Sequence, residues 1–490
     1  MLSPLLDALI FFVLTTPLIG LMGQRFGREK IFVGVYVTFG FIFSLTLIPL
    51  FYSEVLRKNG ISVTYGGSLS PEIVCLEANA LSIFMAVIFL VIGFMASLFS
   101  IQEVRRGSIT GYYTILLGMV TAMIGIVFSG DLFTLFIFWE AMCISSYALV
   151  AFRKERWESI EASYKYLIMS SAGSITVLFA LSFLYGLTGT LNISYLSMSL
   201  AEAESNPLSY MALVMIIVGF GLQAGMVPFH TWLPDAHMAA PSPISAVLSG
   251  IMVKAGIYGL IKVLLSIFTP MSGPWQNTLA AFAVLTMFVG NLSALLQDDI
   301  KRLLAYSTIA NTGYILLGLA IGSQRALTGS LFHVLNHAIV KALLFLCAGA
   351  FIHKTGTRSL KELAGIRHSM PITSTLFIIG TLSLASIPPL NIFWSELLII
   401  TGGLEAGTQA GTPLLSFLMI INLVFSAAYC LRMIQTVAVK KETVTSEKAA
   451  EASMWMLIPI LTLGLLSILI GVYPSPFQNL AEAAAQAARA

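Results

Sequence analysis

Ionisable side chains stand inside long apolar stretches of this sequence, where they could pass protons. His333, His337 and Lys341 recur at every fourth position, so on a helix they would follow one face over about 12 Å. Glu140 and Glu396 interrupt two other apolar stretches. An ionisable group in the middle of a bilayer is expensive unless it has partners or water, and such groups mark ion and proton paths.

A proton relay needs groups that take up and release protons within reach of a hydrogen bond. Histidine does so near neutral pH, and glutamate and lysine can join it when their surroundings are apolar. The sequence therefore predicts a buried relay, and its predicted members are Glu140, Lys165, Lys254, His333, His337, Lys341 and Glu396.

Some ionisable residues have a simpler alternative role. His230 and His237, which flank an interrupted helix, could form hydrogen bonds between helices. Lys262 could extend its ammonium group to the membrane surface, and Lys165 could be interfacial in the same way. The sequence leaves both roles open for these four residues.

The composition indicates which elements position these side chains. Of the 490 residues, 57% are hydrophobic and 10% are charged, against about 45–50% and about 25% in soluble domains. The net charge is only +3, far from the strongly basic balance of a protein that neutralises nucleic-acid phosphates. These values exclude an ordinary soluble enzyme, a disordered chain and a nucleic-acid binder, and they indicate that most of the surface meets lipid.

Fourteen apolar segments approach the roughly 20 residues that a helix needs to cross a bilayer. They predict an all-α polytopic membrane protein with about 14 transmembrane helices. The predicted segments are 4–23, 31–52, 77–101, 109–129, 131–152, 163–188, 208–232, 241–268, 274–297, 303–321, 327–352, 371–403, 412–437 and 453–473.

Positive charge is concentrated in alternate loops. The loops after odd-numbered helices contain seventeen Lys and Arg residues, whereas those after even-numbered helices contain three. The positive-inside rule then predicts cytoplasmic odd loops and both termini outside. We expect the membrane to be a prokaryotic cell (inner) membrane. The seventeen are Arg25, Arg28, Lys30, Arg105, Arg106, Arg153, Lys154, Arg156, Lys301, Arg302, Lys354, Arg358, Lys361, Arg367, Lys440, Lys441 and Lys448, and the three are Arg57, Lys58 and Arg325.

Prolines interrupt two of the predicted helices. Helix 7 contains Pro228 and Pro234, and helix 12 contains Pro388 and Pro389. Pro228 and Pro389 lie 161 residues apart, close to the 165 that separate the starts of helices 4 and 9. Because five is an odd number, a second five-helix unit would enter the membrane from the opposite side. The pattern predicts inverted repeats of helices 4–8 and 9–13, each with a broken helix, a combination typical of ion paths.

This repeat divides the chain into four parts. They are an N-terminal three-helix segment (1–108), a first repeat (109–268), a second repeat (269–437) and a C-terminal helix with a short tail (438–490).

Sequence motifs for a cofactor are missing. The cysteines Cys75, Cys143, Cys347 and Cys430 are far apart and lack the spacing of iron–sulfur or zinc ligands. Neither a P-loop nor a dinucleotide fingerprint occurs. We expect free thiols, and neither a metal, a bound cofactor nor a catalytic residue in this chain.

Four motifs resemble one family closely. They are FWE in helix 5, MVPFHTWLPDAHMAAPSPISAVLSGIMVKAGIYGL across helices 7 and 8, HVLNHAIVKALLFLCAG in helix 11 and PPLNIFWSE in helix 12. They resemble the antiporter-like subunits of respiratory complex I, of energy-converting membrane-bound hydrogenases and of Mrp-type antiporters. The resemblance covers nearly the whole chain and is greatest to the M-type subunit.

The resemblance implies a proton-translocating module and assigns its residues. Glu140 matches the family's helix 5 glutamate, and Lys165 matches a basic position on helix 6. Lys254 matches the helix 8 lysine that leads toward the centre. The further matches are His333, His337 and Lys341 on helix 11 and Glu396 on helix 12, where most members carry lysine.

Helix 7 departs from the family pattern. The family's lysine, seven residues before the histidine of PFHTW, is replaced by Gln223. An amide does not carry a proton at physiological pH, so Glu140 lacks its usual partner. We hypothesise that Lys254 is the functional partner of Glu140, with Lys165 as the other candidate.

The resemblance favours one function over two alternatives. The preferred function is proton pumping in a redox-driven complex related to NADH–quinone oxidoreductase, because position 396 is glutamate. The expected partners are homologous membrane subunits and a peripheral redox arm that holds flavin, iron–sulfur clusters and a quinone or other acceptor site. The alternatives are the D-type component of an Mrp-type Na⁺/H⁺ antiporter and a stand-alone transporter. Protons are favoured over sodium because the row is rich in nitrogen bases, whereas sodium sites use oxygen ligands.

Overall fold

The computed structural model describes residues 2–58, 60–64, 75–104, 107–202, 206–407 and 411–489. The described chain is almost entirely helical, as predicted. Strands β1 (Ile61–Thr64) and β2 (Cys75–Ala78) form a short antiparallel pair in which Ile61 faces Ala78. Arg105 and Arg106, two of the predicted cytoplasmic charges, lie outside the described residues.

The helices follow the predicted segments closely. Their bounds are α1 Leu2–Arg25, α2 Glu29–Lys58, α3 Ala80–Glu103, α4 Ile109–Phe128, α5 Leu132–Val150, α6 Trp157–Thr188, α7 Ile193–Glu202, α8 Pro207–Gln223, α9 Trp232–Ala239, α10 Ser242–Val247, α11 Val253–Ser266, α12 Ser272–Leu295, α13 Ile300–Ile321, α14 Gln324–Thr355, α15 Pro371–Leu384, α16 Asn391–Glu405, α17 Thr412–Ile434, α18 Val444–Glu447, α19 Met454–Val472 and α20 Ser475–Ala487. A π-helical turn, Leu248–Met252, joins α10 to α11, and another, Gln435–Val439, extends α17.

Twelve helical spans of the described chain are long and apolar enough to cross a membrane. The protein is therefore a polytopic membrane protein. The predicted segments 208–232 and 371–403 are each divided, so α8 and α15 are apolar but shorter than the other spans. The figure of fourteen crossings stays a prediction, since it requires each divided segment to cross as one unit.

The start of α6 differs from the prediction. The helix begins at Trp157 rather than at 163. Its first turns are polar, and Lys165 pairs with Glu161 one turn earlier at 2.8 Å. Such an i,i+4 pair stabilises a helix outside the apolar segment, and apolar length alone could not reveal it.

The first broken helix has a tight turn between α8 and α9. Gly225 adopts a positive φ of 71°, and the N–H of Met226 donates to the carbonyl oxygen of Gly221 at 2.8 Å. The Val227–Pro228 peptide bond is cis. Pro234 lies inside α9, in its first turn, where a missing N–H leaves no helical hydrogen bond unmade.

The second broken helix repeats this turn residue by residue, 161 positions later. Ser386 has a positive φ of 59°, and the N–H of Ile387 donates to the carbonyl oxygen of Leu382 at 3.1 Å. The Pro388–Pro389 peptide bond is cis. A positive φ is strained for a residue with a Cβ, and such strain is typical of functional sites.

Three helical units form the centre of the molecule. The combined α10–α11 unit, α13 and α14 are buried along nearly their whole length, whereas α1, α6 and α17 expose large apolar side chains. Close packing of glycines brings α12 against α13. A Cβ on Gly313 would lie 2.6 Å from the backbone nitrogen of Met287.

Gly313→Ala should therefore destabilise the protein. The added Cβ would also lie 2.9 Å from the carbonyl oxygen of Ala283, so α12 and α13 must move apart. Overpacking of this kind costs about 1–3 kcal/mol and should lower the midpoint of thermal unfolding in detergent. Gly118→Ala on α4 is the matched control, because no described atom lies within 4 Å of its Cβ position. Equal midpoints for the two variants would contradict the packing argument.

Candidate functional site

The three predicted residues of helix 11 lie together on α14. His333, His337 and Lys341 are all fully buried. The two imidazole rings stack with their centroids 5.8 Å apart. The Lys341 ammonium donates to the carbonyl oxygen of Leu304 at 3.1 Å and to the Ser307 hydroxyl, both on α13. The helical spacing read from the sequence is thus realised as one buried polar face.

His333 links this face to the second broken helix. Its Nε2 lies 3.0 Å from Oδ1 of Asn311, and its Nδ1 lies 3.0 Å from the Ser395 hydroxyl. The same hydroxyl is 2.8 Å from the carbonyl oxygen of Ile392. With neutral His333, Nδ1 and this carbonyl compete for one hydroxyl proton. With protonated His333, Nδ1 donates to Ser395 and the hydroxyl donates to the carbonyl, so this hydroxyl accommodates both protonation states of His333.

Glu396 follows Ser395 directly on α16. It is 2% exposed and accepts a hydrogen bond from the hydroxyl of Ser386, the residue with positive φ in the break. Within the described chain no basic group forms an ion pair with it. The turn at Ser386 therefore places an uncharged hydrogen-bond donor beside the buried carboxyl group of Glu396.

Lys254 begins the row on the other side of the centre. It is fully buried, and its ammonium donates to the carbonyl oxygen of Ser249 inside the π-helical turn. The Ser249 hydroxyl meets the Thr308 hydroxyl at 2.6 Å, and Thr308 donates to the Leu304 carbonyl at 2.9 Å. That carbonyl also accepts from Lys341. Two buried lysines are thus connected through two hydroxyls and two carbonyls.

These contacts form one polar path across the interior, in which the backbone carbonyls of Ser249, Leu304 and Ser307 link some members and Ser395 and Glu396 are joined only as neighbours along α16. Its members, in spatial order, are Lys254, Ser249, Thr308, Lys341, Ser307, Asn311, His333, Ser395, Glu396 and Ser386. Among described residues, none of its bases is paired with a carboxylate. A proton on one lysine therefore raises the energy of a proton on the other, which couples the sites.

Glu140 lies away from this row, on the outer face of α5. It is partly exposed, and its helical neighbours Phe133, Ile137 and Ile144 are exposed. Its Oε1 is buried and has no hydrogen-bond partner among the residues described. The described chain contains no ion pair between Glu140 and Lys254.

Gln223 occupies a buried polar cluster instead of acting as a charge. Its Oε1 accepts from Ser170 at 3.0 Å, and its Nε2 contacts the Tyr166 hydroxyl at 2.8 Å and the Met252 sulfur at 2.7 Å. A lysine could not accept from Ser170, because an ammonium has no acceptor. The replacement of lysine by glutamine thus comes with neighbours that suit an amide.

Lys165 is not part of the central row. It is half exposed, and it pairs with Glu161 and with Asp235, whose Oδ2 lies 3.4 Å from its ammonium. Arg302 approaches the other oxygen of Asp235 at 3.5 Å. The structure therefore brings Lys165 to a surface ion-pair cluster rather than to Glu140.

The remaining three candidates have different surroundings. His230 is half-buried, and its Nδ1 has no partner within the described ranges. His237 is fully buried, stacks on Phe345 with centroids 4.8 Å apart, and finds no partner there for either ring nitrogen. Lys262 is 6% exposed and donates to the carbonyl oxygen of Ser129, the residue that follows α4.

The connecting hydroxyls and amides were not predicted from the sequence. Serine and threonine in apolar helices commonly bond their own backbone, so Ser249, Thr308 and Ser395 look ordinary in the sequence. Only the positions Ser307 and Asn311, one turn apart on α13, give a periodic signal.

Metal binding and disulfides find no support in the part of the chain that is described. No group of three His, Cys, Asp or Glu side chains there could hold a metal ion. The four cysteines are free and buried.

Known proteins resemble this chain in sequence and in fold. The family described as NADH:quinone oxidoreductase/Mrp antiporter, transmembrane, matches residues 129–426. That range is more than half of the chain and contains both broken helices and every member of the polar path. The chain belongs to this family.

Individual relatives come from both branches of the family. The N-type component of the NADH-quinone oxidoreductase of Desulforudis audaxviator is 34% identical over 377 residues, which is 74% of each chain. The D-type component of the Na⁺/H⁺ antiporter of Alkalihalophilus pseudofirmus is 30% identical over 480 residues, covering 96% of this chain and 94% of that protein. A chain of the membrane-bound sulfane sulfur reductase, an archaeal respiratory membrane complex, matches with a TM-score of 0.91 and 30% identity, covering all of this chain and 97% of that one. The protein is therefore an antiporter-like, multi-pass membrane subunit.

Ser395→Ala should change the state of His333. The variant removes the hydroxyl that faces Nδ1, so the ¹⁵N signal of His333 should shift in a histidine-labelled sample, whose six histidines keep the spectrum simple. The lost hydrogen bond should also lower stability by about 1 kcal/mol. Ser374→Ala is the matched control, because the Ser374 hydroxyl is buried without a partner among the described residues. An unchanged His333 signal in Ser395→Ala would contradict the contact.

Proposed function

We propose that this chain moves protons across the membrane as a subunit of a redox-driven respiratory complex. The polar path from Lys254 to Glu396 carries this proposal. From Lys254 to Ser395 its members share hydrogen bonds with each other or with common backbone carbonyls, and Glu396 follows Ser395 directly on α16, so the ionisable groups lie in the close succession that proton transfer requires. We expect no redox centre in this chain, so in this proposal the energy comes from its partners.

The proposal includes fourteen crossings and two inverted repeats, helices 4–8 and 9–13. The matched turns at Gly225 and Ser386, which share a positive φ and an equivalent backbone hydrogen bond, support the repeat. In this arrangement α8 with α9, and α15 with α16, each cross the membrane as one broken helix. Such pairs enclose the ion path in transporters with inverted repeats.

The orientation follows from the loop charges, with odd loops in the cytoplasm and both termini outside. A polar cavity of about 640 Å³ supports this arrangement, because it gathers residues from the loops after predicted helices 3, 5, 9 and 11 at one end of the molecule. Members of its lining are Glu103, Arg153, Lys301 and Arg358. These four loops, which all follow odd-numbered helices, therefore lie at one end of the molecule. This is expected if successive helices cross the membrane in opposite directions.

In the second half, a proton moves from Lys341 to His333 and then to Glu396. Lys341 gives the proton to His337, whose ring nitrogens have no partner among the described residues, and His337 passes it to His333, which becomes an imidazolium. The Ser395 hydroxyl rotates as Nδ1 gives the proton up, and Glu396 becomes a neutral carboxylic acid beside Ser386. Release from Glu396 to the outside restores the carboxylate.

In the first half, Glu140 acts on Lys254 through an indirect connection. Cys143, one turn from Glu140, lies 3.6 Å from the Ser170 hydroxyl, which donates to Gln223. Gln223 in turn contacts Met252, two residues before Lys254. A change of charge at Glu140 thus reaches the π-helical turn that holds the Lys254 ammonium.

Partner subunits complete the proposed proton-pumping complex. Glu140 faces outward among exposed apolar side chains, a surface that suits a neighbouring homologous membrane subunit. A peripheral arm with flavin, iron–sulfur clusters and a quinone or other acceptor site would supply the energy. The alternative is the D-type component of an Mrp-type antiporter, in which a cation gradient replaces electron transfer. The antiporter relative from Alkalihalophilus pseudofirmus, whose match covers 96% of this chain, favours this alternative.

Purification of the tagged chain in mild detergent separates these two assignments. We expect flavin or iron–sulfur absorbance together with many subunits. A cofactor-free assembly of small membrane proteins that exchanges sodium for protons in vesicles would establish the antiporter instead.

Glu396→Gln should abolish proton translocation by the whole complex in proteoliposomes. The amide cannot accept the proton from His333, so the initial rate should fall at least about tenfold while some electron transfer continues. Glu405→Gln is the matched control, since Glu405 ends the same helix but is exposed and paired with Arg325. Normal pumping by Glu396→Gln would refute the path.

Lys254→Ala should likewise uncouple the complex. The variant removes the base at the start of the path, two residues from the Met252 that Gln223 contacts, so pumping should fall at least about tenfold. Lys361→Ala serves as its control, because the Lys361 side chain is 77% exposed and pairs with Asp298. Coupled pumping at the normal rate in Lys254→Ala would show that Glu140 does not work through Lys254.

A further inference from the structure

The two broken helices carry carboxylates at equivalent positions. Asp235 lies seven residues after the cis proline Pro228, and Glu396 lies seven residues after the cis proline Pro389. The 161-residue offset that superimposes the hydrogen bonds of the two turns also maps Asp235 onto Glu396. The relay from Lys254 to Glu396 does not use Asp235.

The surroundings of the two carboxylates differ in charge and exposure. The Asp235 side chain is 22% exposed and lies between two cations, Lys165 at 3.4 Å and Arg302 at 3.5 Å. Glu396 is 2% exposed and accepts from the neutral Ser386 hydroxyl. The first site is open to water and balanced by cations, whereas the second is closed and its hydrogen-bond donor is uncharged.

Asp235 shares the helix α9 with a residue of the protein interior, His237. On the eight-residue α9, His237 lies two positions further on and therefore on a different face. It is fully buried, both ring nitrogens lack partners among the described residues, and it lies within electrostatic reach of Lys301, Lys341 and Lys254. This unpartnered buried imidazole, two residues from an open carboxylate, is available to take a proton.

We propose that Asp235 is the proton-collecting carboxylate of the first repeat, at the cytoplasmic mouth, and the counterpart of Glu396 at the outer mouth. This inference rests on the proposed function and its inverted repeats, which put equivalent residues at opposite sides of the membrane. A hydronium ion gives its proton to the Asp235 carboxylate, and water then relays the proton from the acid to a ring nitrogen of His237, which restores the carboxylate. Lys165 and Arg302 hold the carboxylate in place.

The test measures proton translocation by the whole complex in proteoliposomes for Asp235→Asn, Asp235→Glu and Glu161→Gln. We expect Asp235→Asn to lower the initial rate about tenfold, and Asp235→Glu to restore most of it with an altered pH profile. Glu161→Gln removes the other partner of Lys165, at 2.8 Å, and should leave the rate unchanged because it does not occupy the repeat position. Exposed ion pairs contribute little to stability, so all three should unfold at about the same temperature.

Three results would overturn the inference. They are normal pumping by Asp235→Asn, an equal loss in Glu161→Gln, and a loss in Asp235→Asn that Asp235→Glu does not restore. Failure of the proposed function is separate, because wild-type complex would then oxidise its donor without moving protons, or Glu396→Gln would pump normally.

Sided labelling checks the position of Asp235 independently. A cysteine at Asp235→Cys should react with a membrane-impermeant maleimide in inverted vesicles and not in right-side-out vesicles. The four native cysteines are buried and give a low background. Labelling from the outer side alone would overturn the inference.

Discussion

The structure depends on how positive charge is held inside an apolar protein. Lys254 and Lys341 are fully buried, and each ammonium donates to a backbone carbonyl rather than to a carboxylate. A permanent ion pair would trap the charge, since removing one member of a buried pair is very costly. Carbonyl and hydroxyl partners tolerate both the charged and the neutral lysine, so a proton can leave. This requirement explains why the central helices α13 and α14 are rich in small polar residues.

Two copies of one backbone turn serve two chemical purposes. The breaks at Gly225 and Ser386 share their hydrogen bonds and cis prolines, yet the second has a hydroxyl that reaches a buried carboxyl group. In the first, the buried amide of Gln223 fills the space with a hydrogen-bonded cluster. Repetition of the fold therefore supplies the geometry, whereas individual side chains make the two halves different.

The same chain architecture occurs in redox complexes and in cation antiporters. Relatives from both branches match most of this chain. A row of bases and acids responds to any change of charge at its end, whatever produces that change. The source of energy is therefore a property of the partner subunits, and the interior of this chain is compatible with either.

Hydropathy, spacing and proline act locally, so the sequence was enough to predict the membrane helices, the helical stripe on α14 and the two proline breaks. It also showed an uncharged amide, Gln223, at the position where the family carries a lysine. The packing of the helices decided that Lys165 pairs with Asp235, that Glu140 faces outward and that Ser249, Thr308 and Ser395 connect the row. Those facts depend on which faces of distant helices meet, and an apolar segment carries little record of its neighbours, since lipid and protein interior favour the same residues.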